Sequence, residues 1–278
     1  MKKRISKGET KPLKSMKGKI SPYLHKIKHM INNLDYDRFI VVCGKERTGK
    51  SVLAGQLGWF ISGGKLTIDQ ICMTVDDFLR ALKEAKKGDV IIFDEAGINL
   101  YSREAMSTMN RMLTKAFMVS GLKNICIILC LPDFFSLDSY IRLHRIDLLM
   151  FIPKRGKFKA YSSKKSKEIS LKGSKIKQIE CVQATDLGWF TKAYPRTLEE
   201  AYRKKERKFK FSFLKSIKDN IEGNYNTPKF AEITGYNIKT IMRWIEDKKI
   251  KAKKIGGRWW IPKPEAERIV EEQRKSKG

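Results

Sequence analysis

Four short apolar runs constrain this chain more than anything else in it: RFIVVCG from Arg38, DVIIFDE from Asp89, NICIILCLP from Asn124 and DLLMFIP from Asp147. Each is too short for a buried helix and too continuously apolar for a strand with one wet face, so each predicts a strand buried inside a sheet. The stretches between them, such as SVLAGQLGWFI and REAMSTMNRMLTKAFMV, have helical spacing. Strands alternating with helices predict an α/β unit around a central, mostly parallel sheet. In the second helical stretch, Met106, Met109, Met112 or Leu113, and Phe117 are spaced as ordinary core.

The charge surrounds this block rather than sitting in it. The chain carries 59 Lys and Arg against 30 Asp and Glu, a formal net charge of +29. Residues 1–34 hold 10 basic and 1 acidic residue, residues 35–153 hold 15 and 14, and residues 154–278 hold 34 and 15. An excess of this size points to a polyanion, nucleic acid before an anionic membrane. The first twenty residues are read equally as a solvated tail or a DNA contact. No apolar run approaches the ~20 residues of a membrane span, and MKKRISKGETK lacks the apolar centre of a signal peptide. The expectation is a cytoplasmic protein without an integral membrane segment, its host's cytoplasm if viral. Five Cys without metal-ligand spacing, three of them (Cys43, Cys126 and Cys130) in apolar runs, agree with reduced, buried thiols.

Directly after the first run comes Gly44-Lys45-Glu46-Arg47-Thr48-Gly49-Lys50-Ser51, a complete G-x-x-x-x-G-K-S pattern between a strand and a helix. Its glycines let the backbone curl so that N–H groups face phosphate oxygens, and the following helix adds the positive end of its dipole. Lys50 is placed to reach the β- and γ-phosphates and the Ser51 hydroxyl to ligate Mg²⁺. The second run ends in Asp94-Glu95. Asp94 is expected to hold Mg²⁺ through a water and Glu95 to orient and deprotonate an attacking water. The pair together favours hydrolysis of ATP over transfer of its phosphate to a substrate. After the third run, PDFFSLDSYIRLHRID carries Arg142 and Arg145 about one turn apart. Either arginine could neutralise γ-phosphate charge across a subunit boundary, or be a surface residue without a role; the sequence weighs the two equally.

GKERTGKS, VIIFDEAG and LPDFFSLDSYIR together resemble the FtsK–HerA class of DNA-pumping ATPases, with relatives among zonula occludens toxin proteins and virus packaging ATPases. The resemblance covers about residues 35–153 and implies a P-loop NTPase fold, ATP and Mg²⁺ as cofactors, double-stranded DNA as partner and a homo-oligomer, commonly a ring hexamer. It also implies a Gln sensing the γ-phosphate at the end of the third strand. Aligned on Pro132, this chain has Cys130 there, a poor hydrogen-bond partner.

A second pattern begins near Asn224. Thr227-Pro228 predicts a helix start, Thr234-Gly235-Tyr236-Asn237 a turn, and Ile238 to Asp247 a second helix. KIKAKKIGGRWWIP predicts a hairpin turning at Gly256-Gly257, and Pro264-Glu265 a last helix. TPKFAEITG and GGRWWIP resemble the helix-turn-helix of excisionase and related winged DNA-binding domains. That resemblance implies a second helix in the major groove with Lys239, Thr240 and Arg243 outward. A wing would bring Lys253, Lys254, Arg258 and Trp259 to the backbone. Ile241, Trp244, Ile245 and one of Trp259 and Trp260 are expected in the small core. A protein-docking module is the alternative for this unit.

The expected organisation is a basic N-terminal arm (1–34), a P-loop ATPase domain (35–160), a basic linker with a charged helix from Pro195 (161–223), and a DNA-binding domain (224–278), with residues 154–180 read as a basic hairpin running into the linker. The leading function is an ATP-driven DNA motor or DNA-handling ATPase of a virus, plasmid or other mobile element, serving translocation, packaging or transfer. The alternative is an ATP-switched DNA-binding regulator or segregation protein without translocation. A membrane-bound virion assembly ATPase is weakened by the missing membrane span.

Overall fold

The four apolar runs form the middle of one sheet. In the computed structural model, which describes residues 13–15, 18–94, 103–255 and 258–275, the strands run β1 (Lys14–Ser15), β2 (Arg38–Gly44), β3 (Ile71–Cys72), β4 (Val90–Phe93), β5 (Cys126–Leu131), β6 (Leu148–Lys154), β7 (Lys157–Ser162) and β8 (Asp186–Trp189). They are ordered β1-β8-β7-β6-β2-β5-β4-β3. β6, β2, β5, β4 and β3 are mutually parallel, whereas β7, β8 and β1 extend the sheet antiparallel. In register, Val42 lies between Cys130 and Met150.

Burial on both faces explains why the runs do not alternate. Phe39, Val41, Cys43, Ile91, Phe93, Ile127 and Leu129 join one core with residues of α3 (Val75–Glu84), α4 (Arg103–Lys123), α5 (Ser139–His144) and α6 (Ser163–Gly173). Met109, Met112, Leu113 and Phe117 of α4 are part of it, while Met106 lies outside the described side chains. The intervening Ile40, Val42, Ile92 and Ile128 are equally buried. Across that face lies α2 (Lys50–Ile61), packed over β2, β5 and β4 so closely that a Cβ on Gly58 would stand 2.9 Å from the Ile92 side chain.

The division of the chain differs from the expected one. Two units are found, Met1–Lys205 and Glu206–Gly278, and the break falls inside one helix, α7 (Arg196–Glu222). Residues 20–33 are no loose arm. They form α1 (Ile20–Asn33), which buries Ile20, Leu24, Ile27 and Ile31. Its two lysines, Lys26 and Lys28, lie off that stripe, and eight of the ten basic residues of 1–34 precede the helix. Nor are residues 161–205 a linker. The hairpin of β6 and β7, α6 and β8 complete the sheet, and Tyr161, Ile169 and Phe190 are buried.

The second unit holds β9 (Asn224–Asn226), α8 (Thr227–Thr234), α9 (Ile238–Glu246), β10 (Lys253–Ile255), β11 (Arg258–Pro262) and α10 (Lys263–Lys275). β11 pairs antiparallel with both β10 and β9. The cap of α8 is Asn226, whose side chain accepts from Lys229 N, one residue earlier than the expected Thr227. Gly235 in the left-handed region ends α8, and Asn237 caps α9 by accepting from Lys239 N. The core is Phe230, Ile241, Ile245, Ile250, Ile261, Ala266 and Ile269, with Trp244 and Trp259 packed against it. The Gly256-Gly257 turn lies outside the described residues. Among the described residues, no helix is long and apolar enough to cross a membrane.

Candidate functional site

Gly44 to Ser51 leaves the C-terminal end of β2 and enters α2. Gly44 has φ 151° and the Ile152 carbonyl oxygen lies 2.7 Å from where its Cβ would be, so only glycine passes there. Gly49, at φ 100°, is the residue before the helix. The left-handed geometry of both is glycine's natural territory, and Arg47, at φ 59°, adopts the same region between them. Thr48 Oγ1 donates to the Lys45 carbonyl at 2.7 Å and closes the loop on itself. The Lys50 ammonium donates to the carbonyls of Gly44 at 3.0 Å and Lys45 at 2.9 Å. The side chains of Lys45, Glu46 and Arg47 are exposed.

The packing of α2 across β5 and β4 brings this loop to the second motif. Asp94 follows β4 and is only 2% exposed. Its backbone N–H donates to the Cys72 carbonyl at 2.8 Å, and its Oδ1 accepts the Ser51 hydroxyl at 3.0 Å across 43 residues of sequence. β5 lies between the two strands that carry the motifs, which separates their ends by roughly two strand spacings, ~9.6 Å. The N-terminus of α2 spans that gap. Glu95, the candidate base, lies outside the described residues. Cys130 is buried in β5, 2% exposed, on the α2 face of the sheet.

A further group, not marked by any sequence motif, also holds Asp94. Oδ2 accepts the Tyr202 hydroxyl at 2.7 Å. Tyr202 is 8% exposed and stacks on Tyr194 with 4.6 Å between centroids and 17° between planes. Tyr194 in turn lies over Gly55 of α2, and Phe190 over Gly49. The buried Gln56 of α2 donates to Thr191 O and Oγ1 and to Ala193 O. The segment from Phe190 to Lys205 is therefore a strap laid along the loop and its helix. No local sequence signal marks it, because its contacts with the loop, α2 and Asp94 each join residues more than a hundred positions apart.

The two candidate arginines are held elsewhere. Arg142 donates from Nε to Leu137 O and from Nη1 to Ser174 Oγ, both at 3.0 Å, and lies over the rings of Phe134 and Phe135. Its burial lowers its pKa, with Asp138 and Asp133 acting against that shift. Arg145 pairs with Asp37 at 2.6 Å and sits 4.5 Å from the centre of the Phe117 ring. Asp37 precedes β2, so Arg145 stands at the end of that strand opposite the loop. Neither arginine is brought to the loop of its own chain.

In the second unit, Lys239 and Arg243 project from α9 with Arg243 81% exposed, and Thr240 beside them is half-buried. Lys253, Lys254 and Arg258 are exposed on β10 and β11. Trp259 is not among the outward groups. It packs on the core beneath, and Lys254, its cross-strand neighbour, lies 5.6 Å above its ring. No protein-family model and no curated protein matches this chain.

The donor set fits Mg²⁺ and a nucleoside triphosphate. A serine hydroxyl and a buried carboxylate, meeting at 3.0 Å, are hard oxygen groups. Beside them stand a lysine with its ammonium at the loop carbonyls and a helix N-terminus opened by glycine. Among the described residues there is no cluster of three or more His, Cys, Asp and Glu for a metal caged by protein alone.

Proposed function

We propose that this chain is a Mg²⁺-dependent ATPase that acts on double-stranded DNA, a motor or DNA-handling enzyme of a mobile element. The observation that carries the reading is the meeting of Lys50, Ser51 and Asp94 at the C-terminal ends of β2 and β4. The ammonium of Lys50 exchanges its two loop carbonyls for phosphate oxygens, and the backbone N–H groups from Gly44 to Ser51 cradle them. Ser51 and Asp94 would hold the metal, which when bound would supply charge neutralisation at the phosphates. Glu95, next in sequence to Asp94, accepts the proton of the attacking water. Arg142 and Arg145 carry no step in this scheme.

The second unit is proposed as a winged helix-turn-helix that docks on DNA through Lys239, Thr240 and Arg243 of α9 and through Lys253, Lys254 and Arg258 of the wing. Its capped pair of helices and three-stranded sheet support this, as does the placement of these cations on the solvent side. Assembly into a homo-oligomer, a ring in the resemblance, belongs to the same proposal. The test is the ATPase rate of the wild type and of Lys50→Ala, with and without duplex DNA, beside light-scattering mass with a non-hydrolysable nucleotide. Hydrolysis stimulated by duplex and lost in Lys50→Ala is expected. A wild-type rate in Lys50→Ala would overturn the site, and stimulation without movement along duplex would favour the ATP-switched regulator.

A further inference from the structure

Tyr202, whose hydroxyl donates to Asp94 at 2.7 Å, is left without a task by the proposed function. The geometry points to Tyr202 as a positioning residue for the metal: its phenol fixes Asp94 in the rotamer that turns the other carboxylate oxygen toward Ser51. This inference rests on the reading of Lys50, Ser51 and Asp94 as a nucleotide site.

Both oxygens of Asp94 are engaged from different elements, Oδ1 by Ser51 of α2 and Oδ2 by Tyr202 of α7. A carboxylate at the end of a strand otherwise turns about its side-chain bonds, so two donors from two directions define one orientation. The second donor is itself immobilised. Tyr202 is stacked on Tyr194, whose ring fills the space above Gly55. One turn further along α7, Lys205 donates to the Ile71 carbonyl at 2.7 Å and pairs with Asp77 at 3.5 Å. The first turns of α7 are thus pinned on both sides of the hydroxyl, at β3 and at α2. The chemistry of the donor matters as much. An ammonium or guanidinium in this position would neutralise the carboxylate and weaken its hold on a cation. A neutral phenol orients the carboxylate and leaves it its charge. Partners of this kind, hydrogen-bonded to a metal ligand from behind, typically affect metal affinity ~10–100-fold.

The test uses the full chain and a fluorescent ADP analogue whose binding is followed as Mg²⁺ is titrated, and separately in EDTA. Tyr202→Phe keeps the ring and its stack and removes only the O–H. The Mg²⁺ concentration giving half of the metal-dependent gain in binding is expected to rise by ~10-fold or more, with the affinity in EDTA unchanged. Tyr194→Phe, which keeps the stack and leaves the Tyr202 hydroxyl in place, is expected to retain the wild-type midpoint. A lowered melting temperature in Tyr202→Phe with an unchanged Mg²⁺ midpoint would reduce Tyr202 to packing and overturn the inference. So would an equal shift in Tyr194→Phe. Failure of the nucleotide reading itself has a different signature, a wild-type chain that binds the analogue neither with Mg²⁺ nor in EDTA.

Discussion

Replacing Gly55 by alanine tests whether the strap is seated on α2 as described. In an exposed helix interior, Gly→Ala is favourable by ~1 kcal/mol because alanine has less backbone freedom to lose. At Gly55 the added methyl would lie 2.6 Å from Cζ and 2.7 Å from Cε2 of the Tyr194 ring. Carbon atoms settle at roughly 3.5–4.0 Å, so ring and methyl must part by ~1 Å. Tyr194 is 5% exposed and stacked against Tyr202, which leaves it little room to move. Overpacking of this kind costs ~1–3 kcal/mol, and a displaced stack also strains the hydrogen bond to the Asp94 carboxylate, a class of bond worth ~1.5–3 kcal/mol. The net expectation is destabilisation by ~1–3 kcal/mol despite the gain in helix propensity. The control is Gly121→Ala in α4, where the new methyl meets nothing within 4 Å and the propensity gain stands alone. At ~2–4 °C per kcal/mol for a unit of this size, Gly55→Ala should melt several degrees below the wild type and Gly121→Ala slightly above it. Thermal melting by circular dichroism measures both. If Gly55→Ala matched Gly121→Ala, the strap would not rest on α2 and the account of Tyr202 would lose its foundation.

Three further outcomes are expected. Glu95→Gln should bind ATP with little change but hydrolyse it ~10²–10³ times more slowly in a single-turnover assay, the usual effect of removing one well-placed catalytic group; a wild-type rate would mean another base. Arg243 is 81% exposed and only 3.9 Å from Asp247 at its closest, so Arg243→Ala should leave the melting temperature alone. It should cost ~1–3 kcal/mol of discrimination between a selected and a scrambled duplex in fluorescence anisotropy, and an unchanged ratio would remove α9 as the reading helix. Burial raises the thiol pKa of Cys43 and Cys126 and pushes that of Cys72 up to about 12. An acid whose pKa is raised on folding stabilises the fold below its unfolded value of about 8.5 and loses that contribution as pH climbs toward the folded value. Stability should therefore fall between about pH 8.5 and 12, and at pH 8 a chromogenic disulfide should label the exposed Cys181 rapidly and the buried thiols only after unfolding.

What was legible in the sequence was whatever one strand or one turn decides for itself. The runs around Val41, Ile91, Leu129 and Leu149 are strands because they are apolar on both faces. The loop from Gly44 to Ser51 is legible because a backbone that curls needs glycine at fixed places. What escaped was decided by composition pulling against pattern, or by length. The eight basic residues ahead of α1 dominate the charge count of residues 1–34, while Ile20, Leu24, Ile27 and Ile31 recur at helical spacing just after them. β3 is a two-residue strand, Ile71–Cys72, too short to register as a run. β8 reads Asp-Leu-Gly-Trp, without a β-branched residue, and its Gly188 is required by the close passage of Phe158 and of the Lys14 carbonyl, neither near it in sequence.

Tyr202 escaped for a further reason, one that bears on how the site works. A tyrosine in TLEEAYRKKERK reads as the apolar face of a charged helix, and that is part of what it does, since it is buried and stacked. Its hydroxyl finds Asp94 across 108 residues only because α7 opens beside the end of β4, after residues 190–194 have crossed α2. Local patterns write the two motifs, and the sheet order then sets them two strands apart with β5 between. The chain that returns over α2 after β8 supplies the second donor to the carboxylate those motifs share. A site assembled in this order has a loop that is complete once β2 and α2 form, and a metal half that waits for residues 190–205. Nucleotide affinity in EDTA should follow the first and the Mg²⁺ dependence the second.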